Sequence, residues 1–219
     1  MKRNSMMIAK PRGFWERFCL LFSVLLLVGT IFTVFVTVVE AKEIYAGVVR
    51  LHVLADSDEE EEQKLKLLVR DAVLSAYGEE LSLFSDVETA KTLLGEKLPE
   101  IKTLCEDTVK AEGSAHSVTV TLTKEYYPTR VYDGFTLPAG EYTSLRILIG
   151  SGEGQNWFCM VYPPLCTASC EKEEVLVEAG FSQSQVRFLT EGEEGYTLRF
   201  KLVETVSSVW HKVKGWFSK

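Results

Sequence analysis

The hydrophobic positions change period several times along the chain, and each change marks an element. Phe18 to Val39 holds 22 residues without a charge, bounded by Arg17 and Glu40. Gly47 to Leu54 then alternates as a strand does, with Val49, Leu51 and Val53 on one side and Arg50, His52 and Leu54 on the other. From Ser57 the spacing lengthens to three and four. Leu65, Leu68, Val69, Ala72, Val73 and Ala76 share one face of a helix that Gly78 should end. Ser57 and Glu60 form a capping box, and the acids Glu59 to Glu62 sit where the helix dipole favours negative charge. Helix chemistry accounts for that acidic run, and no cation site is needed to explain it.

A second helix is expected from Asp86, its N-cap, to Gly113, kinked or split at Leu98-Pro99. Ala90, Leu94, Leu98, Ile101, Cys105 and Val109 form its apolar face, which makes Cys105 a core residue. Ser117 to Lys124 returns to period two, with Val118, Val120 and Leu122 alternating with threonines. Glu125 to Pro138 is irregular. Leu145 to Ile149 and Trp157 to Tyr162 then flank a loop with Gly150, Gly152 and Gly154, which reads as a hairpin buried in a sheet and stopped by Pro163-Pro164. Thr167 to Glu194 is polar and acidic, with a short helix near Glu173 to Ala179, and residues 166–195 are expected to be the most mobile part. Leu202, Val206, Val209, Trp210, Val213, Trp216 and Phe217 make 198–217 an amphipathic helix with lysines opposite. It docks on the sheet or lies on a membrane surface.

The predicted fold is α+β. An antiparallel or mixed sheet is packed by two N-terminal helices and a C-terminal amphipathic helix, after an N-terminal signal or transmembrane helix. Twenty-two residues make about 33 Å of helix, enough to cross a hydrocarbon core. Five bases precede that run against one acid, so residues 42–219 are expected outside the cytoplasm. Val39-Glu40-Ala41 offers the small residues that a signal peptidase reads. Residues 1–41 are therefore a cleaved signal peptide or a retained anchor. They carry a net charge of +3 and the remainder −10. Such an acidic outer domain does not suit nucleic acid or anionic lipid as its main partner.

Candidate chemistry is sparse. The GSGEG segment Gly150–Gly154 leads into a strand and lacks a following Lys-Ser/Thr, so it is a turn and not a phosphate loop. Cys159 and Cys166 are candidates for a disulfide across the Pro-Pro turn, or else buried thiols. Cysteine spacing and three histidines do not make a zinc site, and no metal or cofactor is expected. Cys159 and His52 could serve as thiol nucleophile and base in a cell-envelope hydrolase, with Asp56 orienting the histidine. The alternative is recognition of a protein partner by Arg50, His52, Asp56 and Asp58 at a strand-to-helix junction, beside the loop and Asn156 and Trp157. The plainer reading of the first four is a buried ion pair, Arg50 with an aspartate, that pins the strand.

Two blocks resemble a known family. Arg50-Leu-His-Val-Leu-Ala-Asp-Ser-Asp58 followed by Gln63-Lys-Leu-Lys-Leu-Leu-Val-Arg-Asp-Ala-Val73 is similar to the opening of the stage II sporulation protein R family. Pro138-Ala-Gly-Glu-Tyr-Thr-Ser-Leu-Arg-Ile147, Gly154-Gln-Asn-Trp157, Cys159 and Pro163-Pro-Leu-Cys166 resemble its second signature. Asp56 stands where that family usually has Asn, and Phe158 where a second Trp is common. The resemblance implies a signalling protein of endospore formers, not an enzyme. It would be exported from the forespore into the space between forespore and mother cell. Its implied partner there is a membrane-embedded peptidase that processes the sigma-E precursor.

Overall fold

The computed structural model describes residues 13–132, 134–165 and 172–190, together with Thr205, Ser208 and Val209. The chain divides into two compact units, Met1–Val39 and Glu40–Lys219. The first is the apolar part of helix α1 (Phe14–Gly47), whose side chains from Phe14 to Phe35 are largely exposed. Two of its hydroxyls turn to the backbone: Thr30 and Thr33 donate to the carbonyls of Leu27 and Gly29. Among the described residues α1 is the one helix long and apolar enough to cross a membrane, which fits a signal or an anchor.

The second unit begins in the last turns of α1 and is organised on strand β1 (Val49–Leu54). Helices α2 (Glu60–Ser82) and α3 (Val87–Ala111) follow, then β2 (Val118–Tyr127), β3 (Arg130–Tyr132) and β4 (Phe135–Leu137). Strands β5 (Gly140–Ile149) and β6 (Asn156–Tyr162) precede the short helices α4 (Lys172–Glu178) and α5 (Gln183–Thr190). The sheet is mixed, with strand order β2-β5-β1-β6; β1 runs parallel to β5 and antiparallel to β6. β5 and β6 are therefore not the two arms of a hairpin. β1 lies between them, with Leu51 opposite both Leu145 and Cys159. A local pattern of two apolar runs and a glycine loop cannot distinguish direct pairing from pairing through a third strand.

One face of the sheet carries Val49, Leu51, Val53, Leu145, Ile147, Ile149, Cys159 and Val161 against α2 and α3. Leu65, Val69, Val73 and Leu81 come from α2, and Ala90, Leu94, Ile101 and Cys105 from α3. Each large side chain buried there contributes about 1.5–3 kcal/mol. Burial, and then the neighbouring Glu106, pushes the Cys105 thiol up to about 12, so it is an inert core residue. Helix α3 starts where the sequence predicts: the Asp86 carboxylate accepts from the Thr89 N–H at 2.8 Å. It runs through Pro99 as one helix and is not split there. Helix α2 departs from its predicted ends. Ser57 does not cap it; the N-cap is Glu59, and the helix passes Gly78 to reach Ser82, with Gly78 buried against its neighbours.

The other face of the sheet meets a second core. Tyr127, Tyr142 and Met160 pack there with Ala41 and Ile44 of α1, Phe135 and Leu137 of β4, and α4 and α5. Residues 172–190 were expected in a mobile stretch, yet Val175, Leu176, Phe181, Val186, Phe188 and Leu189 are buried in this core. Helices of 7 and 8 residues make only about two turns each, too short for their apolar spacing to stand out from a polar loop. The amphipathic helix expected at 198–217 lies outside the described residues except at Thr205, Ser208 and Val209, which are helical.

Candidate recognition site at the β1–α2 and β5–β6 junction

The predicted site residues divide between a surface clamp and a buried polar layer. The clamp forms where β1 runs into α2. The chain there makes a short turn, Ala55 to Glu59, and the loop joining β5 to β6 crosses over it. Asp56 accepts the Ser151 N–H at 2.5 Å, and its carbonyl accepts from the Ser151 hydroxyl and the Glu153 N–H. Asp58 accepts the Gln155 N–H at 2.7 Å. The Gly154 N–H donates to the Ala55 carbonyl at 3.0 Å. Two glycines are required by this approach. A Cβ at Gly150, whose φ is +59°, would lie 2.2 Å from the Asp56 carboxylate, and one at Gly154 would lie 2.2 Å from the Ser57 carbonyl. The glycine-rich loop is thus a fitted cover over β1, consistent with its reading as a turn.

From below, Lys66 of α2 completes the clamp. It is buried, donates to the Gln155 carbonyl at 2.8 Å and meets the Gln63 side chain. Burial lowers its pKa, with Asp58 pulling the other way. The Ser151 backbone N–H, and then its side chain, hold the Asp56 carboxyl below its ordinary range. Trp157 follows on β6, half-buried, with the Arg70 guanidinium 4.4 Å from its ring centroid. Asp58 and Asn156 are exposed.

Arg50 and His52 lie on the second face of the sheet, beneath this junction. Both are buried, so neither presents an ionisable group to solvent. Arg50 is fully enclosed. Its guanidinium carbon sits 4.0 Å from the centroid of Tyr127 and 5.1 Å from that of Tyr142, and Nη2 donates to the Tyr132 hydroxyl at 2.7 Å. Among the described residues Nε and Nη1 have no hydrogen-bond partner and no carboxylate pairs with the group. The predicted ion pair of Arg50 with an aspartate is replaced by an aromatic cage, because Asp56 and Asp58 are engaged by loop N–H groups past the end of the strand. Burial raises the hydroxyl pKa of Tyr132 and Tyr142, keeping both neutral beside the cation.

His52 bridges two elements. Nδ1 lies 3.0 Å from Glu125 on β2, and Nε2 lies 3.0 Å from the Asn156 side chain on β6. The same Glu125 oxygen accepts from the Tyr127 hydroxyl at 2.7 Å, and Arg146 stands 3.4 Å from the other. Burial alone would raise the Glu125 carboxyl. The bonds from His52 and Tyr127, with the charge of His52, outweigh it and bring the carboxyl down to about 2. Sequence reasoning ended β2 at Lys124 and so missed Glu125 and Tyr127. The signal was present: they continue the outward series Thr119, Thr121 and Thr123 by steps of two.

Cys159 and His52 do not meet. Cys159 stands opposite Leu51 and His52 opposite Phe158, and successive strand residues point to opposite faces. Cys159 belongs to the core under α2 and α3, and it is disulfide-bonded. The described thiol–imidazole pair of a hydrolase is therefore not assembled. Cys19 and Cys105 are free, and Cys166, the partner suggested by the sequence, lies outside the described residues. Among the described residues no group of three or more His, Cys, Asp or Glu side chains could hold a metal ion.

Fold and site together define a class: an α+β domain behind an apolar helix, whose junction is built to hold loops in place. Residues 45–172 match the profile of the family described as Stage II sporulation protein R. The chain is also 33% identical over 181 residues to Stage II sporulation protein R of Bacillus subtilis (strain 168), covering 74% of this chain and 81% of that protein. No solved structure matches. The chain belongs to the stage II sporulation protein R family, and that membership supports a role in sporulation.

Proposed function

We propose that the domain is exported from the forespore and carries a sporulation signal by protein contact. Its partner is a membrane-embedded peptidase of the mother cell, which on engagement processes the sigma-E precursor. Family membership motivates the pathway, and the α1 helix supports delivery to the space between the two membranes. The observation that carries contact over catalysis is the separation of Cys159 from His52 on opposite faces of one strand pair. The contact surface in this reading is the clamp: Asp58 and Asn156 exposed, Asp56 and Trp157 half-buried. Arg50 and His52 act from beneath, His52 by holding the Asn156 side chain. Rigid loops of this kind bind with little ordering cost.

The test is co-expression of the full chain with the peptidase and the sigma-E precursor. Precursor cleavage should depend on the chain, and a His52→Ala chain that remains folded should retain it at least in part. Loss of a hydrolytic activity of the purified protein on substitution of either His52 or Cys159 would restore the enzyme reading.

A further inference from the structure

We infer that folding of the domain closes the signal-peptidase site at Ala41, so that the folded chain keeps α1 as an anchor. The inference rests on the export reading above. The bond between Ala41 and Lys42 has the small residues that the enzyme requires at Val39 and Ala41. In the structure it lies inside a continuous helix, with Ala41 1% exposed and Ile44 fully buried three residues on.

The turn after that bond is held from several sides. The Tyr45 hydroxyl donates to the Ala139 carbonyl at 2.8 Å, and its ring lies so close to Gly140 that a Cβ there would be 2.4 Å away. The same ring meets Tyr142 edge-on at 5.0 Å. Glu43 accepts from Gln185 of α5 at 2.8 Å, and the Ala46 carbonyl accepts from Lys91 of α3 at 3.0 Å. Phe181 closes over Gly47, where a Cβ would stand 2.9 Å from its ring. Sites of proteolysis are set by the burial and hydrogen bonding of the backbone to be cut, not by position in the chain. Val39 and Lys42 are exposed, so it is the helical backbone and the buried Ala41 side, held by these attachments, that must be undone before a peptidase can read the bond as an extended strand. Cleavage is hydrolysis: water adds across the bond, leaving a carboxylate on Ala41 and an amine on Lys42. Its rate tracks the fraction of molecules in which the last turns of α1 are open.

The full chain in detergent micelles, incubated with a type I signal peptidase and followed by intact mass, tests this apart from export. The natural chain should stay whole. Ile44→Asp and Tyr45→Ala chains should be cut between Ala41 and Lys42 at least about tenfold faster, in proportion to the opened population, and adding Ala41→Leu should stop it. Cutting of the natural folded chain at Ala41 overturns the inference. So does survival of the opened variants, which would mean that the peptidase does not read the site. Labelling residues 42 onward in intact cells with a membrane-impermeant reagent reports the export reading separately.

Discussion

The two faces of the central sheet use the same strands differently. Towards α2 and α3 the inward side chains are mostly Val, Leu and Ile, with Cys159 and, at the end of β6, Tyr162, a largely apolar layer. Towards α4, α5 and the end of α1, the same strands supply Arg50, His52, Ser144 and Met160 beneath a group of tyrosines. The first face is energetically simple, and its stability follows from area removed from water. The second face carries a buried cation, a carboxylate held at about 2 and a histidine bridging two strands, and it lies beneath the junction that presents Asp58 and Asn156. The comparison teaches that the polar side chains of β1 serve internal order, which leaves the loops above them as the exposed surface that the proposed contact would use.

The largest effect should come from breaking the apolar face. Leu51→Ala removes a fully buried side chain opposite Leu145 and Cys159, and should cost about 2–5 kcal/mol in denaturant unfolding. Next is the clamp. Gly150→Ala forces a left-handed residue against the Asp56 carboxylate, and should cost on the order of 2 kcal/mol, seen as a lowered Tm. Both should leave the disulfide state of Cys159 unchanged, which a thiol count checks.

The polar face should respond to pH. The Glu125 carboxyl is depressed in the fold, so its contribution is fully present above its ordinary value of 4.5 and disappears as pH falls towards about 2. Glu125→Gln should therefore lower stability at pH 7, by on the order of 1 kcal/mol after allowing for solvent screening, and little at pH 2. Urea midpoints of the two proteins at both pH values measure this. The smallest effect is expected at Arg50. Arg50→Met keeps an unbranched apolar stem, shorter than arginine by the guanidinium end, and removes a buried charge with two donors unpartnered among the described residues. It should change stability by less than about 1 kcal/mol in either direction, and a loss of several would show that the cage binds the cation strongly.

How much of this was legible in the sequence follows the same division. Alternation at Val49, Leu51 and Val53 and helical spacing through Leu65, Leu94 and Cys105 fixed the apolar layer, because there burial and periodicity say the same thing. The partners of Arg50 and His52 were not legible. Tyr127, Tyr142 and Glu125 reach them only through the placing of β1 beside β5, a pairing between strands some ninety residues apart. Asp56 and Asp58 looked like free ionisable groups, since nothing local announces that the Ser151 and Gln155 N–H groups will meet them. The glycines of the loop were the available hint.

The most direct measurement is sigma-E precursor cleavage in cells co-expressing the peptidase with charge-inserted chains of equal Tm. Asn156→Arg places a cation in the clamp. Leu83→Arg places one at the opposite end of α2, beside a groove of about 690 Å³ formed with Phe84 and Tyr162. Loss of cleavage with Asn156→Arg and its retention with Leu83→Arg is the expected result. Cleavage that continues with Asn156→Arg, or in cells lacking the chain altogether, would contradict signalling by contact at the clamp.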